Sequence, residues 1–220
     1  MSRVLFINVG SEGHINPTLG VVQELIRCGE EVIYFTGDHM RERVESTGAR
    51  VITCDSEKLL QVFLDGGAEA AGLLRTADLV IPSLLEQIKG EHFDYIIHDS
   101  MFGCGRLIAQ ILDLPAINSC TSFAFLEESF DSLQDHRSRQ LSADANERAR
   151  KELRHLVDSV EAKYDVRVGS LYEVYCNPAP PPLSTPRDTF SPMETASTNP
   201  TSLLDRQYSR GHTTNLIFLL

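Results

Sequence analysis

The run Val4-Leu5-Phe6-Ile7-Asn8-Val9 passes directly into a glycine-bearing turn and then a helix signal, and this succession restricts the fold more than any other feature. A nearly continuous apolar run suits a central parallel strand, because such a strand is covered by helices on both faces. Asn16-Pro17 then supplies a favoured N-cap and a favoured first helical residue. The spacing predicts a helix beginning there, with Val22, Leu25 and Ile26 on its inner face and Gly29 as its stop.

The same rhythm continues down the chain. Strands are predicted at Glu31–Thr36, Arg50–Thr53, Tyr95–His98 and Ala116–Ser119. Helices are predicted at about His39–Ser46, in two stretches that end at Gly90, at Gly103–Leu112 and at Ala145–Ala162. Strands separated by helices imply right-handed βαβ units, hence an α/β chain with a single Rossmann-like, doubly wound parallel sheet. The composition changes near Tyr175: seven of the ten prolines lie between Pro178 and Pro200, among many Ser and Thr. Such a segment buries too little apolar surface to offset its ordering entropy. Two regions are therefore expected, a Rossmann-like domain over 1–175 and a Pro/Ser/Thr-rich irregular tail over 176–220 that ends in the apolar run Leu216–Leu220.

A net charge of −11 and a pI near 5.0 argue against a phosphate-backbone binder, so no nucleic-acid partner is expected. No apolar run approaches the roughly 20 residues that span a bilayer. The five cysteines are scattered and carry no C-x-x-C pair, which reads as free thiols in a reducing compartment, and a cytoplasmic location is expected.

In an open α/β sheet, ligands sit beyond the carboxyl ends of the strands. Gly10-Ser11-Glu12-Gly13-His14 lies there, and it is neither the dinucleotide fingerprint, since Glu12 takes the place of the middle glycine, nor a Walker loop. His14 stands just before a helix N-terminus, whose dipole disfavours imidazolium and so keeps the ring neutral and able to accept a proton. A carboxylate is then needed to orient the ring, and Asp99, at the end of the fourth strand, is placed to supply it. Read from residues alone, His14 serves equally as a surface histidine and Asp99 as a helix cap. His98 faces away from Asp99, because neighbouring strand residues alternate. Phe123, Phe125 and Phe130 read either as pocket or as core. The charged stretch Asp144–Glu152 reads as a solvated helix face.

The segment Gly13-His14-Ile15-Asn16-Pro17-Thr18-Leu19-Gly20, the strand that follows it, Tyr95-Ile96-Ile97-His98-Asp99-Ser100, Leu112-Asp113-Leu114-Pro115 and Cys120-Thr121-Ser122-Phe123-Ala124 together carry a family pattern. On these motifs the chain, over about Met1–Tyr175, resembles the N-terminal, acceptor-binding half of family 1 glycosyltransferases of the GT-B fold, of the macrolide and UDP-glucosyltransferase type. The resemblance implies that His14 is the general base and Asp99 its partner in an inverting transfer from a UDP-sugar, with no metal and no cofactor. It further implies that Thr121 and Ser122 lie near the donor, and Ser11, Glu12 and Phe123 near a small apolar hydroxylated acceptor. The family's second Rossmann domain, with its nucleotide-sugar signature, has no counterpart after Tyr175. The resemblance therefore implies a shortened form with little activity of its own, whose tail reads as a frameshifted or mis-spliced segment; a coding sequence that restores the family pattern in another frame would test this. The alternative expectation is a non-catalytic module that binds a small molecule or pairs with a separate donor-domain chain.

Overall fold

The computed structural model describes residues 1–64, 69–100, 102–121, 127–130, 132, 142–176 and 216–219, of which 69, 70, 171, 175 and 216–219 are described by backbone alone. Strand β1 (Arg3–Ile7) leads into helix α1 (Glu12–Arg27), then strand β2 (Glu31–Gly37), a short 3-10 turn (Asp38–Met40), helix α2 (Arg41–Glu45) and strand β3 (Arg50–Cys54). Helices α3 (Ser56–Leu64) and α4 (Glu69–Gln87) carry the chain back across the sheet to strand β4 (Tyr95–Asp99). Helix α5 (Cys104–Leu112) and strand β5 (Ala116–Cys120) follow, then helices α6 (Ala143–Tyr164) and α7 (Leu171–Cys176) and a strand β6 (Leu216–Leu219).

The sheet order is β3-β2-β1-β4-β5-β6, and every pairing is parallel. The chain winds outward from β1 to β3, crosses over, and winds outward again from β4. This is the doubly wound arrangement, with its switch point between β1 and β4. The period of two along each strand divides the core in half. Val4, Phe6, Tyr34, Tyr95 and Ile97 pack with Ile15 and Val22 of α1 and Val44 of α2. Leu5, Ile7, Ile33, Phe35 and Ile96 pack on the other face with Leu74, Ile81 and Leu84 of α4 and Leu107 and Ile108 of α5. Phe6 and Tyr34 stack with ring centroids 4.7 Å apart on the first of these faces.

The α/β class and the sheet agree with the sequence reading, and three local features differ from it. Helix α1 begins at Glu12, not at Asn16, so Pro17 lies inside it. The Ser11 carbonyl accepts from the His14 and Ile15 amides and opens the helix early, while the Asn16 side chain accepts from Arg43 Nη1 at 2.8 Å. Second, α7 was not foreseen. It is held from outside, because the buried Arg106 guanidinium donates to the Val168 carbonyl at 2.8 Å and to Glu173 Oε1 at 2.7 Å. Third, of the irregular tail expected over 176–220, Cys176 closes α7 and Leu216–Leu219 pair with Ile117–Cys120 as β6. A four-residue apolar run has no alternation from which to read a strand, and only the open edge of β5 gives it a partner. The remainder of that tail lies outside the described residues.

Candidate active site

The carboxyl ends of β1, β4 and β5 converge on one histidine. Residue His98 pairs with Ile7 across β4 and β1, so the next residue, Asp99, emerges at the switch point on the α1 side of the sheet. His14, in the first turn of α1, places Nδ1 at 2.9 Å from Asp99 Oδ2 and 3.0 Å from Thr121 Oγ1. An ionised carboxylate only accepts, so the proton is on Nδ1, which donates to Asp99 with Thr121 as a second acceptor. Nε2 is left with its lone pair and has no partner among the described residues. The ring is partly open to solvent at 21% side-chain exposure, whereas Asp99 is almost sealed at 1%.

Hydrogen bonding and charge from Asp99 raise the His14 pKa above its ordinary value, against an opposing effect of partial burial. Here the expectation from the helix dipole is corrected. That dipole disfavours imidazolium, but a carboxylate in direct contact outweighs the partial charges of a helix end. A neutral His14 therefore requires a higher pH than a free imidazole does.

The other sequence candidates separate clearly. Thr121 joins the histidine. Ser11 is the N-cap residue of α1 and is exposed beside it, and Glu12 is exposed and lies 3.5 Å from Arg43 Nη1. Ser122 and Phe123 lie outside the described residues, as does Phe125. Phe130 is core, buried and edge-on to Tyr172 at 5.8 Å. His98 points to the opposite face, where burial pushes its pKa down to about 4. It is a neutral core residue packed against Gly105 of α5. Sequence reasoning missed Asn8. It is fully buried at the end of β1, donates through Nδ2 to the His14 carbonyl at 3.0 Å and accepts at Oδ1 from the Gly10 N–H at 3.1 Å. The available signal was a lone amide in an otherwise apolar run.

No protein-family model matches the chain. It is 30% identical over 142 residues to the uncharacterized UDP-glucosyltransferase YojK of Bacillus subtilis, a match covering 58% of this chain and 34% of that protein. It is 32% identical over 143 residues to the uncharacterized UDP-glucosyltransferase YdhE of the same organism, covering 62% of this chain and 35% of that protein. The demethyllactenocin mycarosyltransferase of Streptomyces fradiae is 31% identical over 139 residues, covering 56% of this chain and 30% of its own length. Among solved structures, the glycosyltransferase of kitacinnamycin superposes with a TM-score of 0.65 at 18% identity, over 79% of this chain and 44% of that one. The chain is similar in sequence to glycosyltransferases and shares their fold over part of their length. The calicheamicin glycosyltransferase CalG4 shares the fold with a TM-score of 0.59 at 24% identity, over 76% of this chain and 43% of that one. The chain thus spans about a third of the length of the curated glycosyltransferases it matches. No described helix is long and apolar enough to cross a membrane.

Proposed function

We propose that the chain forms the acceptor-binding side of an inverting glycosyltransferase, which moves a sugar from a UDP-sugar to the hydroxyl of a small apolar acceptor such as a macrolide or a phenol. The observation that carries this reading is the 2.9 Å hydrogen bond between His14 Nδ1 and Asp99, which leaves Nε2 basic at the mouth of the sheet. The acceptor hydroxyl gives its proton to Nε2. Its oxygen forms a bond to the anomeric carbon on the face opposite the diphosphate, and the bond from that carbon to the diphosphate oxygen breaks, its electron pair leaving with the nucleoside diphosphate. One displacement inverts the centre. Asp99 stabilises the imidazolium formed on the way and keeps the ring in the productive tautomer.

In this reading Ser11, Glu12 and Phe123 face the acceptor, and Thr121 and Ser122 lie toward the donor. The UDP-sugar is a co-substrate, and the scheme uses neither metal nor cofactor. The donor is held by residues outside the matched third of the relatives, in the same polypeptide or in a separate donor-domain chain. The test is transfer from a UDP-hexose to a panel of phenolic and macrolide acceptors by this chain mixed with a donor half-domain from a relative. Transfer by the mixture, lost in His14→Ala, is expected. Undiminished transfer in His14→Ala, or none in the mixture with the wild-type chain, overturns the reading.

A further inference from the structure

We infer that Asn8 is the positioning residue that holds His14 opposite Asp99, an inference that rests on the general-base reading above. Asn8 is fully buried immediately after β1, beside the edge that carries His14 and Asp99. A buried amide is costly unless its polar atoms are matched, and here they are matched by one short stretch of backbone. Its Nδ2 donates to the His14 carbonyl at 3.0 Å, and its Oδ1 accepts from the Gly10 N–H at 3.1 Å. Its own N–H donates to the Phe35 carbonyl of β2 at 3.0 Å. One side chain therefore ties both ends of the Gly10–His14 turn to the centre of the sheet.

The start of α1 needs such a tie. Pro17 has no N–H, so the Gly13 carbonyl receives no donor from four residues on, and the proline ring crowds that carbonyl. The helix is least held by its own ladder at the turn that carries His14. Buried groups secure the next turn as well. The Thr18 hydroxyl donates to the Ile15 carbonyl at 2.7 Å and accepts from the Tyr34 hydroxyl at 2.8 Å, and Tyr34 is clamped by its stack on Phe6. Gly10 leaves room for the ring, since a Cβ there would come within 3.0 Å of His14 Cβ. The reach of His14 to an aspartate 85 residues away is thus set from β1 and not from a loosened helix end. An ångström of drift would break that bond, whose length leaves little margin.

The experiment is a histidine NMR titration of the full 220-residue chain, reading the pKa and ring tautomer of His14 in wild type, Asn8→Ala and Asp99→Asn, with exposed His39 as an internal control. In wild type His14 titrates above its ordinary value as the Nδ1–H tautomer. In Asn8→Ala its pKa is expected to fall toward the free-histidine value, with the tautomer mixed and the His39 resonances unmoved. Should Asn8→Ala not fold, Asn8→Ser decides the matter, because its hydroxyl is too short to reach the His14 carbonyl. An unchanged His14 titration in a folded Asn8 variant overturns the inference when Asp99→Asn does shift it. If Asp99→Asn also leaves His14 unchanged, the dyad itself falls, and the general-base reading with it.

Discussion

At the scale of single residues the chemistry depends on which ring nitrogen of His14 carries the proton. Asp99 takes the Nδ1 hydrogen and leaves the Nε2 lone pair, which the proposed function uses as the base. The same contact raises the His14 pKa, with a definite sign for both activity and stability. General-base activity, measured as acceptor transfer by the complemented chain, is expected to rise with pH through a pKa above the ordinary 6.5 and then level off. In Asp99→Asn the rising limb moves to lower pH, while the plateau falls by about a hundredfold or more, the scale of a positioned general-base contribution. The stability effect runs the other way. A group whose folded pKa is raised stabilises most when protonated in both states, so the His14–Asp99 pair contributes fully below about pH 6.5 and its contribution fades as pH rises through the folded value. Urea midpoints compared at about pH 5.5 and pH 9 are expected to show a larger loss for Asp99→Asn at the acidic end. Equal losses at both would show that the pair has no folded-state charge coupling.

At the scale of elements, glycine positions separate close packing from open surface. Gly105 opens α5 against β4, and a Cβ there would lie 2.4 Å from His98 Cβ, an atom fixed to the strand backbone. Gly105→Ala is expected to destabilise the chain by about 1–3 kcal/mol in urea unfolding, since helix and strand must part to admit it. Gly20, exposed within α1, has nothing within 4 Å of the equivalent position, and Gly20→Ala is expected to stabilise by roughly 0.5–1 kcal/mol. The opposite signs at two helical glycines make the pair a test of the packing and not of helix propensity. Arg106 makes a third case. Its guanidinium is buried and holds both the Val168 carbonyl and Glu173, so Arg106→Leu is expected to cost on the order of 3 kcal/mol, at the low end because Glu173 keeps some exposure. Faster amide exchange over 166–176 should accompany the loss; unchanged exchange there would mean that α7 is held by its apolar contacts alone.

At the scale of the whole molecule, the switch point between β1 and β4 sets what the chain does. Two winding directions diverge there, and His14, Asp99 and Thr121 meet at that edge of the sheet. In the proposed function that edge is one wall of a transferase site. Displacement requires the anomeric carbon to be held within about 3–3.5 Å of the acceptor oxygen, which takes a second wall. The 220-residue chain by itself is therefore expected to give no measurable sugar transfer, and to do so once the donor half of a relative is supplied. Product formation by the purified chain alone would show that its own residues complete the donor site.

Much of this was legible in the residues. Five strands and the principal helices followed from apolar runs and helical spacing, because burial on two faces or on one stripe leaves a direct mark on composition. The choice of His14 and Asp99 followed from their places after β1 and at the end of β4, since strand order in a parallel sheet brings carboxyl ends to one edge. The start of α1 was read five residues late, with Asn16 as the cap where Ser11 is. Asn16-Pro17 is a strong local cap signal, but the Ser11 carbonyl captured two amides first, and a local signal carries no account of its competitors. The direction of the His14 pKa was likewise beyond sequence, because it depends on whether a distant carboxylate comes nearer than the helix end. Asn8 carried no signal beyond being an amide in an apolar run, and only the turn above it supplies partners for its donor and acceptor. The sequence by itself determined the layers and the sheet edge to which His14 and Asp99 come, for these rest on periodicity and chain order. The tautomer, the raised pKa, the tie through Asn8 and the docking of α7 on Arg106 were decided only by tertiary structure, because each depends on a distance between residues remote in sequence or on a turn whose path local signals misplace.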